Sequence, residues 1–91
     1  MKPVPPEKSL IEYPSAFPIK VMGASGPDFE EAIVAIARLF DAAFDPATIE
    51  RRPSKAGNYL GLTITVTATS REQLDELYRT LSTHPLVKVV L

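Results

Sequence analysis

The residues from Tyr59 to Ala68 alternate strictly between apolar and polar or small side chains, and this alternation constrains the fold more than any other feature. One set of alternate positions is aliphatic: Leu60, Leu62, Ile64, Val66 and Ala68. The other set is Tyr59, Gly61, Thr63, Thr65 and Thr67. A period of two predicts a strand that buries one face and leaves the other bare. We therefore expect a sheet that is covered on one side.

Two segments before this strand also show clear periodicity. Alternate apolar positions predict a strand over residues 17–22. Pro18 is compatible with that strand only near its start or beside an unpaired position. Apolar residues then recur at helical spacing, which predicts a helix over residues 27–43 that Asp45-Pro46 should end.

The rest of the chain predicts two more strands and a second helix. Residues 48–55 form a weaker strand, because their charges and Pro53 are typical of an edge strand that avoids unwanted pairing. Ser70 and Gln73 have the spacing of a capping box, in which each side chain satisfies the other's backbone donor. The helix that follows should stop at His84-Pro85, and residues 86–91 predict a last strand.

The order of elements is strand, helix, strand, strand, helix, strand. With right-handed crossovers, this order gives an α+β fold of the ferredoxin-like βαββαβ type. We expect a four-stranded antiparallel sheet in spatial order 4-1-3-2, with two helices on one face. The second and fourth strands are then the edges. The fourth is apolar apart from Lys88, so its edge is the most favourable place for a partner strand.

Length and composition limit the chain to one small domain. Its 91 residues, 45% of them hydrophobic and 23% charged, suffice for a single thin core. Three prolines in the first six residues predict a flexible N-terminal arm over residues 1–12, followed by a single domain over residues 13–91. No segment resembles a signal peptide or a membrane helix, and cysteine is absent, so we expect a cytoplasmic protein without membrane contact.

No arrangement of residues in the sequence indicates catalysis, and we expect neither a metal nor a cofactor. Without cysteine and with a single histidine, the chain cannot form the usual zinc sites or a thiolate nucleophile. That histidine, His84, lies at a predicted helix end, where a positive charge suits the helix dipole. The acidic clusters at residues 28–31 and 72–76 lie in first helical turns, where capping and the dipole account for them.

The loop of Gly23, Ala24, Ser25 and Gly26, which joins the first strand to the first helix, is a candidate ligand site. Free backbone N–H groups and the helix dipole make such a loop suitable for an anion or a carboxylate. It lacks the lysine and hydroxyl spacing of a P-loop and is not a GxGxxG motif. The alternative is a tight turn that uses flexible φ at both glycines.

The bare face of the sheet is a candidate interaction surface. Alternation assigns to it mainly polar side chains: Lys20, Met22, Thr63, Thr65, Thr67 and Lys88, with Arg51 or Arg52 from the second strand. Its central positions are threonines, and only Tyr59 lies near the rim, so RNA binding by base stacking on aromatic residues is disfavoured. The net charge of −1 also provides no global field for nucleic acid.

The hairpin between the second and third strands adds to this candidate surface. Pro53 should end strand pairing, and Gly57 should allow positive φ in the turn. Ser54 and Lys55 would then be presented at the tip, close to Tyr59 at one end of the bare face. These residues either set the hairpin geometry or contribute to binding.

Two families resemble this chain. The layout of the chain resembles that of ACT domains, which are regulatory modules: an apolar first strand, then Gly26 just before an apolar helix, then a hairpin. In ACT domains this glycine lies near an amino acid that is bound at a dimer interface. A closer resemblance covers nearly the whole chain after the N-terminal arm. The segments YPSAFPIKVMG, PSKAGNY and VKVVL are similar to those of the YbeD-like family of small bacterial proteins. This resemblance implies an ACT-like fold and a bacterial cytosolic protein, and it implies no established activity.

Three functions remain open from the sequence. The favoured one is a non-enzymatic regulatory or protein-interaction module that forms a homo-oligomer, or binds a protein partner, through a sheet edge or face. The second is sensing of a small molecule, an amino acid or a carboxylate, by residues 23–26 in the ACT manner. The third is weak, salt-sensitive binding of nucleic acid through cationic side chains: Lys20, Arg51, Arg52, Lys55 and Lys88.

Overall fold

The computed structural model describes residues 12–91, so that the predicted arm over residues 1–12 lies outside the described residues except for Glu12. The regular elements, in chain order, are β1 (Ser15–Ala24), α1 (Pro27–Phe40), β2 (Glu50–Pro53), β3 (Tyr59–Ala68), α2 (Arg71–Ser82) and β4 (Val87–Val90), with a 3₁₀ turn over Pro46–Thr48. The strands form one antiparallel sheet in the order β2-β3-β1-β4. The predicted ferredoxin-like fold and its strand order are confirmed.

The hydrophobic core lies between one face of the sheet and the two helices. Along β3 the side chains that face the helices are almost inaccessible: Leu62, Ile64, Val66 and Ala68. The helices contribute apolar side chains that are equally buried: Phe29, Ile33, Ile36, Ala37, Leu77 and Leu81. Thr65 and Thr67, on the other face of β3, are exposed. The alternation in β3 therefore identified the buried face correctly.

Pro18 lies inside β1 without disturbing the sheet. Lys20 exchanges both backbone hydrogen bonds with Leu91, at N···O distances of 3.2 and 2.8 Å. Alternate residues of a strand direct their backbone groups to the same side, so the nitrogen of Pro18 faces the β4 side. No residue of β4 lies opposite Pro18. The predicted unpaired position is therefore confirmed.

Helix α1 ends at Phe40 rather than at the predicted Ala43. Asp41 adopts extended backbone torsions, and its carboxylate accepts hydrogen bonds from the N–H groups of Ala43 at 3.1 Å and Thr67 at 2.9 Å. Thr67 lies beyond the part of β3 that pairs with β2. Asp41 thus supplies the acceptor that a longer edge strand would have supplied, a tertiary contact that helical periodicity does not reveal.

Strand β2 is shorter than the predicted strand over residues 48–55. Asp45 begins a 3₁₀ turn, because its side chain accepts a hydrogen bond from the N–H of Ala47 at 2.9 Å. The hydroxyl of Thr48 donates to the carbonyl of Asp45 at 2.6 Å, which keeps Thr48 in the turn. These local polar contacts delay the start of the strand.

The predicted strand break at Gly23 is wrong, because β1 continues to Ala24. Gly23 instead permits close packing, since a Cβ there would lie 2.5 Å from the ring of Phe29 and would collide with the carbonyl oxygen of Leu86. The alternative of a tight turn required flexible φ at both glycines of this loop, but of the two only Gly26 has a positive φ, of 150°.

Half of the predicted capping box forms. Ser70 Oγ accepts a hydrogen bond from the N–H of Gln73 at 3.0 Å, but the side chain of Gln73 bonds elsewhere. Its Oε1 accepts from the N–H of Thr69 at 2.7 Å, and its Nε2 donates to the carbonyl oxygens of Phe40 at 2.8 Å and Thr67 at 3.3 Å. Gln73 therefore joins the end of α1, the end of β3 and the start of α2.

Candidate interaction surface on the open face of the sheet

The face of the sheet opposite the helices, the open face, carries side chains aligned in rows across the strands. One row consists of Leu91, Lys20, Thr63 and Glu50. The next row consists of Val89, Met22, Gly61 and Arg52. Adjacent strands lie about 4.8 Å apart, so neighbours within a row are close enough to touch. Gly61 leaves the centre of the second row without a side chain.

These two rows and the adjoining hairpin line a shallow groove of about 580 Å³. Its apolar side chains are largely exposed: Met22 to 42%, Val89 to 44%, Tyr59 to 45% and Leu91 to 73%. Single exposed apolar residues are ordinary, whereas several around one concavity are typical of a binding surface. The open face is therefore less polar than the alternation of the sequence predicted.

The pairing of β4 differs from simple alternation at one point. Val89 lies opposite Met22, but the next opposing pair is Val87 with Gly23, which leaves Lys88 without a partner. Val90 opposite Val21 and Val89 opposite Met22 lie before this irregularity, so the regular register already sets Val89 on the open face. No opposing residue fixes the face of Lys88, and its place on the open face stays a prediction. The β4 side chain beside Met22 is that of the apolar Val89.

The two arginines of β2 point to opposite faces. Arg52 lies opposite Gly61 on the open face, whereas Arg51 lies opposite the buried Leu62 and faces the helices. The guanidinium of Arg51 donates to both carboxylate oxygens of Glu30 in α1, at 2.6 and 2.7 Å. These hydrogen bonds hold the pKa of Glu30 below its ordinary value and raise the pKa of Arg51. Of the two candidates, Arg52 is the one that belongs to the open face.

The residues predicted for the interaction surface are only partly brought together. Those that line the groove are Lys20, Met22, Pro53, Ser54, Tyr59 and Thr63. Thr65 lies on the same face outside the groove, and Lys55 and Gly57 lie in the hairpin turn.

The hairpin turn is held by hydrogen bonds of Ser54. The N–H of Ser54 donates to the carbonyl of Tyr59 at 2.8 Å, and Ser54 Oγ accepts from the N–H of Tyr59 at 3.0 Å. The carbonyl of Ser54 accepts from the N–H of Gly57 at 2.9 Å, and φ of Gly57 is 79°. Ser54 and Gly57 therefore set the hairpin geometry, while the exposed Lys55 is held by none of these bonds.

The loop of residues 23–26 has few free backbone donors. The N–H of Ser25 donates to the carbonyl of Asn58 at 3.0 Å, and Pro27 has no N–H to offer. Gly26 is the N-cap of α1 and has no side chain to cap it, and acidic residues already occupy the first turn. Ligand binding by this loop stays a prediction.

His84 shapes the turn between α2 and β4. Its Nδ1 accepts a hydrogen bond from the N–H of Leu86 at 3.1 Å, and its carbonyl accepts from the N–H of Val87 at 3.0 Å. Within residues 12–91, no three histidine or acidic side chains come together as metal ligands would. In the same part of the chain, no helix has the length and apolar character needed to cross a membrane.

Comparison with known proteins identifies relatives along the whole chain. A family model described as "Protein of unknown function (DUF493)" matches residues 8–91. The chain is 74% identical to a UPF0250 protein of Leptothrix cholodnii and 63% identical to one of Bordetella parapertussis, in each case over 91 residues and 100% of both chains. The chain belongs to the DUF493 family. The predicted membership of a family of small bacterial proteins is confirmed.

A solved structure shares the fold of this DUF493 chain. The solution structure of protein HP0495 from H. pylori superposes with a TM-score of 0.76, covering 100% of this chain and 96% of the other, at 15% sequence identity. At this level of identity, the similarity demonstrates a common fold.

Sequence reasoning missed two features of the open face of this DUF493 protein. The first is the position of Val89 beside Met22, which depends on the register between β4 and β1 and has no local sequence signal. The second is the hollow at Gly61. A glycine among the three threonines of β3 was the signal that could have found it.

Proposed function

We propose that this protein is a non-enzymatic interaction module that self-associates through the outer edge of β4, so that two sheets join into one. The observation that carries the proposal is the contrast between the two edges of the sheet. β2, Glu50–Pro53, consists of charged residues and a proline, whereas β4, Val87–Val90, consists of three valines and Lys88. Charges and proline discourage the addition of a strand, and an apolar edge favours it.

The backbone of β4 has hydrogen-bonding groups that point away from β1. Both backbone groups of Leu91 bond to Lys20, and alternation directs those of Val90 to the opposite side. Among residues 12–91, no strand lies on that side of β4. An added strand would provide partners for these groups, which is the usual basis of recognition by strand addition.

A second copy of the chain fits this edge in one register. Antiparallel pairing centred on Val89 gives the longest overlap of residues 87–91 and sets Lys88 of each copy opposite Val90 of the other. Pairing centred on Lys88 would instead place like charges opposite each other, which is destabilising. In the favoured register, the two Val89 side chains meet on the open face and exclude water from each other.

A single introduced cysteine tests this register, because the natural chain has none. Opposite residues at a non-hydrogen-bonded position of an antiparallel pair have Cα atoms about 4.5 Å apart, within the range of a disulfide. We expect Val89→Cys to yield a disulfide-linked dimer under mild oxidation. The control Leu39→Cys, at a site in α1 that is 78% exposed, should yield little.

Light scattering on the natural chain, coupled to size-exclusion chromatography, measures the same association without a cross-link. We expect the average mass to rise with protein concentration. A strict monomer at every concentration would contradict the proposal. Equal cross-linking of Leu39→Cys and Val89→Cys would also contradict it, because it would indicate random collision.

The third function, nucleic-acid binding, has less support from the geometry. Arg51 is bound to Glu30 on the helix side, and Lys88 does not line the groove. Glu50 adds a negative charge to the groove that Lys20 and Arg52 line. We therefore do not extend the proposal to nucleic acid.

A further inference from the structure

Gly61 differs from the other three glycines because neither its backbone nor its packing requires glycine. Gly26 and Gly57 have positive φ, and Gly23 has no space for a Cβ. The φ of Gly61 is not positive, and the nearest atom to an added Cβ would be the carbonyl oxygen of Arg52 at 3.5 Å, an ordinary contact. Glycine weakens the interior of a strand, and it often marks a place where a ligand approaches the backbone closely.

The missing side chain creates a hollow in the middle of the open face. Met22 and Arg52 stand on either side of it across the sheet, and Tyr59 and Thr63 stand at either end of it along β3. All four side chains line the groove of about 580 Å³. The strands that carry Met22 and Arg52 are about 10 Å apart, which leaves room for one flat ring above the backbone of Gly61.

The charges around the hollow favour a ligand with one negative charge. Arg52 lies beside the hollow and Lys20 lies diagonally across from it, and neither forms an ion pair with a described residue. Glu50, at the end of the row that contains Lys20, is the acidic residue among those that line the groove. Two cations with one carboxylate nearby suit a monoanion better than a polyanion.

We propose that the hollow over Gly61 is a binding site for a small organic monoanion that carries a flat apolar ring. The ring lies on the backbone of Gly61, between the sulfur of Met22 and the ring of Tyr59, both of which make favourable contacts with aromatic groups. The guanidinium of Arg52 binds the anionic group through paired hydrogen bonds. The site does not use the outer edge of β4, so it is independent of self-association.

Indole-3-acetate is a suitable probe, with indole-3-acetamide as its uncharged counterpart of the same shape. In ¹⁵N–¹H correlation spectra of the full chain, we expect saturable shifts of the Gly61, Met22 and Arg52 amides. A ligand of this size in a shallow site should have a Kd on the order of 1 mM. The acetamide should bind about tenfold more weakly, because it lacks the charge-assisted hydrogen bonds.

Two variants separate the hollow from the rest of the protein. Gly61→Val fills the hollow with a residue that suits a strand, so we expect it to abolish the saturable shifts without lowering the denaturation midpoint. Arg52→Gln should weaken binding of the acetate about tenfold and leave that of the acetamide unchanged.

Several outcomes would overturn this proposal. They are the absence of saturable shifts at Gly61, equal affinity for the two probes, and undiminished binding by Gly61→Val. If Gly61→Val instead fails to fold, the fold itself requires glycine at this position. The proposal then fails, because it assumes that the fold does not need this glycine.

Discussion

Gly23 and Gly61 are both strand glycines with ordinary backbone torsions, and they illustrate how different the reasons for one residue type can be. Gly23 lies under β4 and α1, where Phe29 and the carbonyl of Leu86 fill the space that a Cβ would need. Gly61 lies on the uncovered face, where a Cβ would meet nothing closer than 3.5 Å. The two positions therefore give opposite expectations for the same substitution.

Gly23→Ala should destabilise the fold by about 1–3 kcal/mol, because the extra methyl group forces Phe29 and the chain at Leu86 to move. Gly61→Ala is the matched control, and it should be neutral or should stabilise the fold by about 0.5–1 kcal/mol. Urea denaturation of both variants measures the free energies of unfolding. Similar values for the two would contradict the packing argument.

Among residues 12–91, Gln73 makes the side-chain hydrogen bond that spans the longest stretch of sequence, to the carbonyl of Phe40. Gln73→Leu should lower the free energy of unfolding by about 1–3 kcal/mol, since it removes the partners of the Thr69 N–H and the Phe40 carbonyl. Gln73→Glu retains an acceptor for Thr69 but sets a carboxylate oxygen against the carbonyl oxygens of Phe40 and Thr67, so it should not restore the stability. If urea denaturation shows no loss for Gln73→Leu, the contacts of Gln73 do not hold these elements together.

At the scale of elements, β2 is fixed by contacts outside the sheet as much as by pairing with β3. Its Arg51 reaches Glu30 of α1, and the adjacent unpaired part of β3 is satisfied by Asp41 from the end of α1. Helix α1 thus anchors the charged edge of the sheet. The apolar edge at β4 has no such anchor on its outer side among residues 12–91.

The ion pair between Arg51 and Glu30 predicts a dependence of stability on pH. Since the pKa of Glu30 is lower in the folded protein than its ordinary value of 4.5, the pair stabilises the fold above about pH 4.5. This contribution is lost as the pH falls from 4.5 through the lower pKa of the folded state. Both side chains are partly exposed, so the effect should be small and reduced by salt.

Acid denaturation of the Glu30→Gln variant checks this expectation. The natural chain should be the more stable at neutral pH, and the difference from Glu30→Gln should shrink once the pH falls below 4.5. In an Arg51→Gln background, Glu30→Gln should change this pH dependence little, because the partner is already absent. A difference that stays constant through the acid range would show that Glu30 acts by packing rather than by charge.

At the scale of the whole molecule, the open face and the edge of β4 form one continuous exposed surface. Val89 belongs to both, because it faces the groove and stands at the centre of the proposed pairing between two copies. Edge-to-edge association would leave the hollows of both copies accessible on a single extended sheet. The two proposals can therefore both hold, and each has its own test.

Val89→Glu should prevent self-association without unfolding the chain, since Val89 is 44% exposed and two carboxylates would meet in the dimer. Association stabilises the folded state by mass action, so the thermal midpoint of the natural chain should rise with protein concentration. For Val89→Glu it should not, whereas Leu39→Glu, on the outer surface of α1, should behave like the natural chain. Concentration dependence that survives Val89→Glu would place the interface elsewhere.

The fold and the main outline of the open face could be predicted from residue types in order. Alternation in β3 determined which of its side chains are buried, because a strand has only two faces. The order of strands and helices, joined by right-handed crossovers, then led to the ferredoxin-like topology. Lys20, Met22, Thr63 and Tyr59 were assigned correctly to the uncovered surface for the same reason. Pro18 and the charges of β2 indicated where pairing stops.

Tertiary structure decided the features that depend on contacts between distant residues. The end of α1 depends on the hydrogen bond that the N–H of Thr67 donates to the carboxylate of Asp41, and the face of Arg51 depends on its register with Leu62. The place of Val89 on the open face depends on its register with Met22 of β1. Local periodicity carries no information about the register or packing of distant segments. Sequence alone therefore determined the sheet and its bare face, and the tertiary contacts decided which side chains that face exposes.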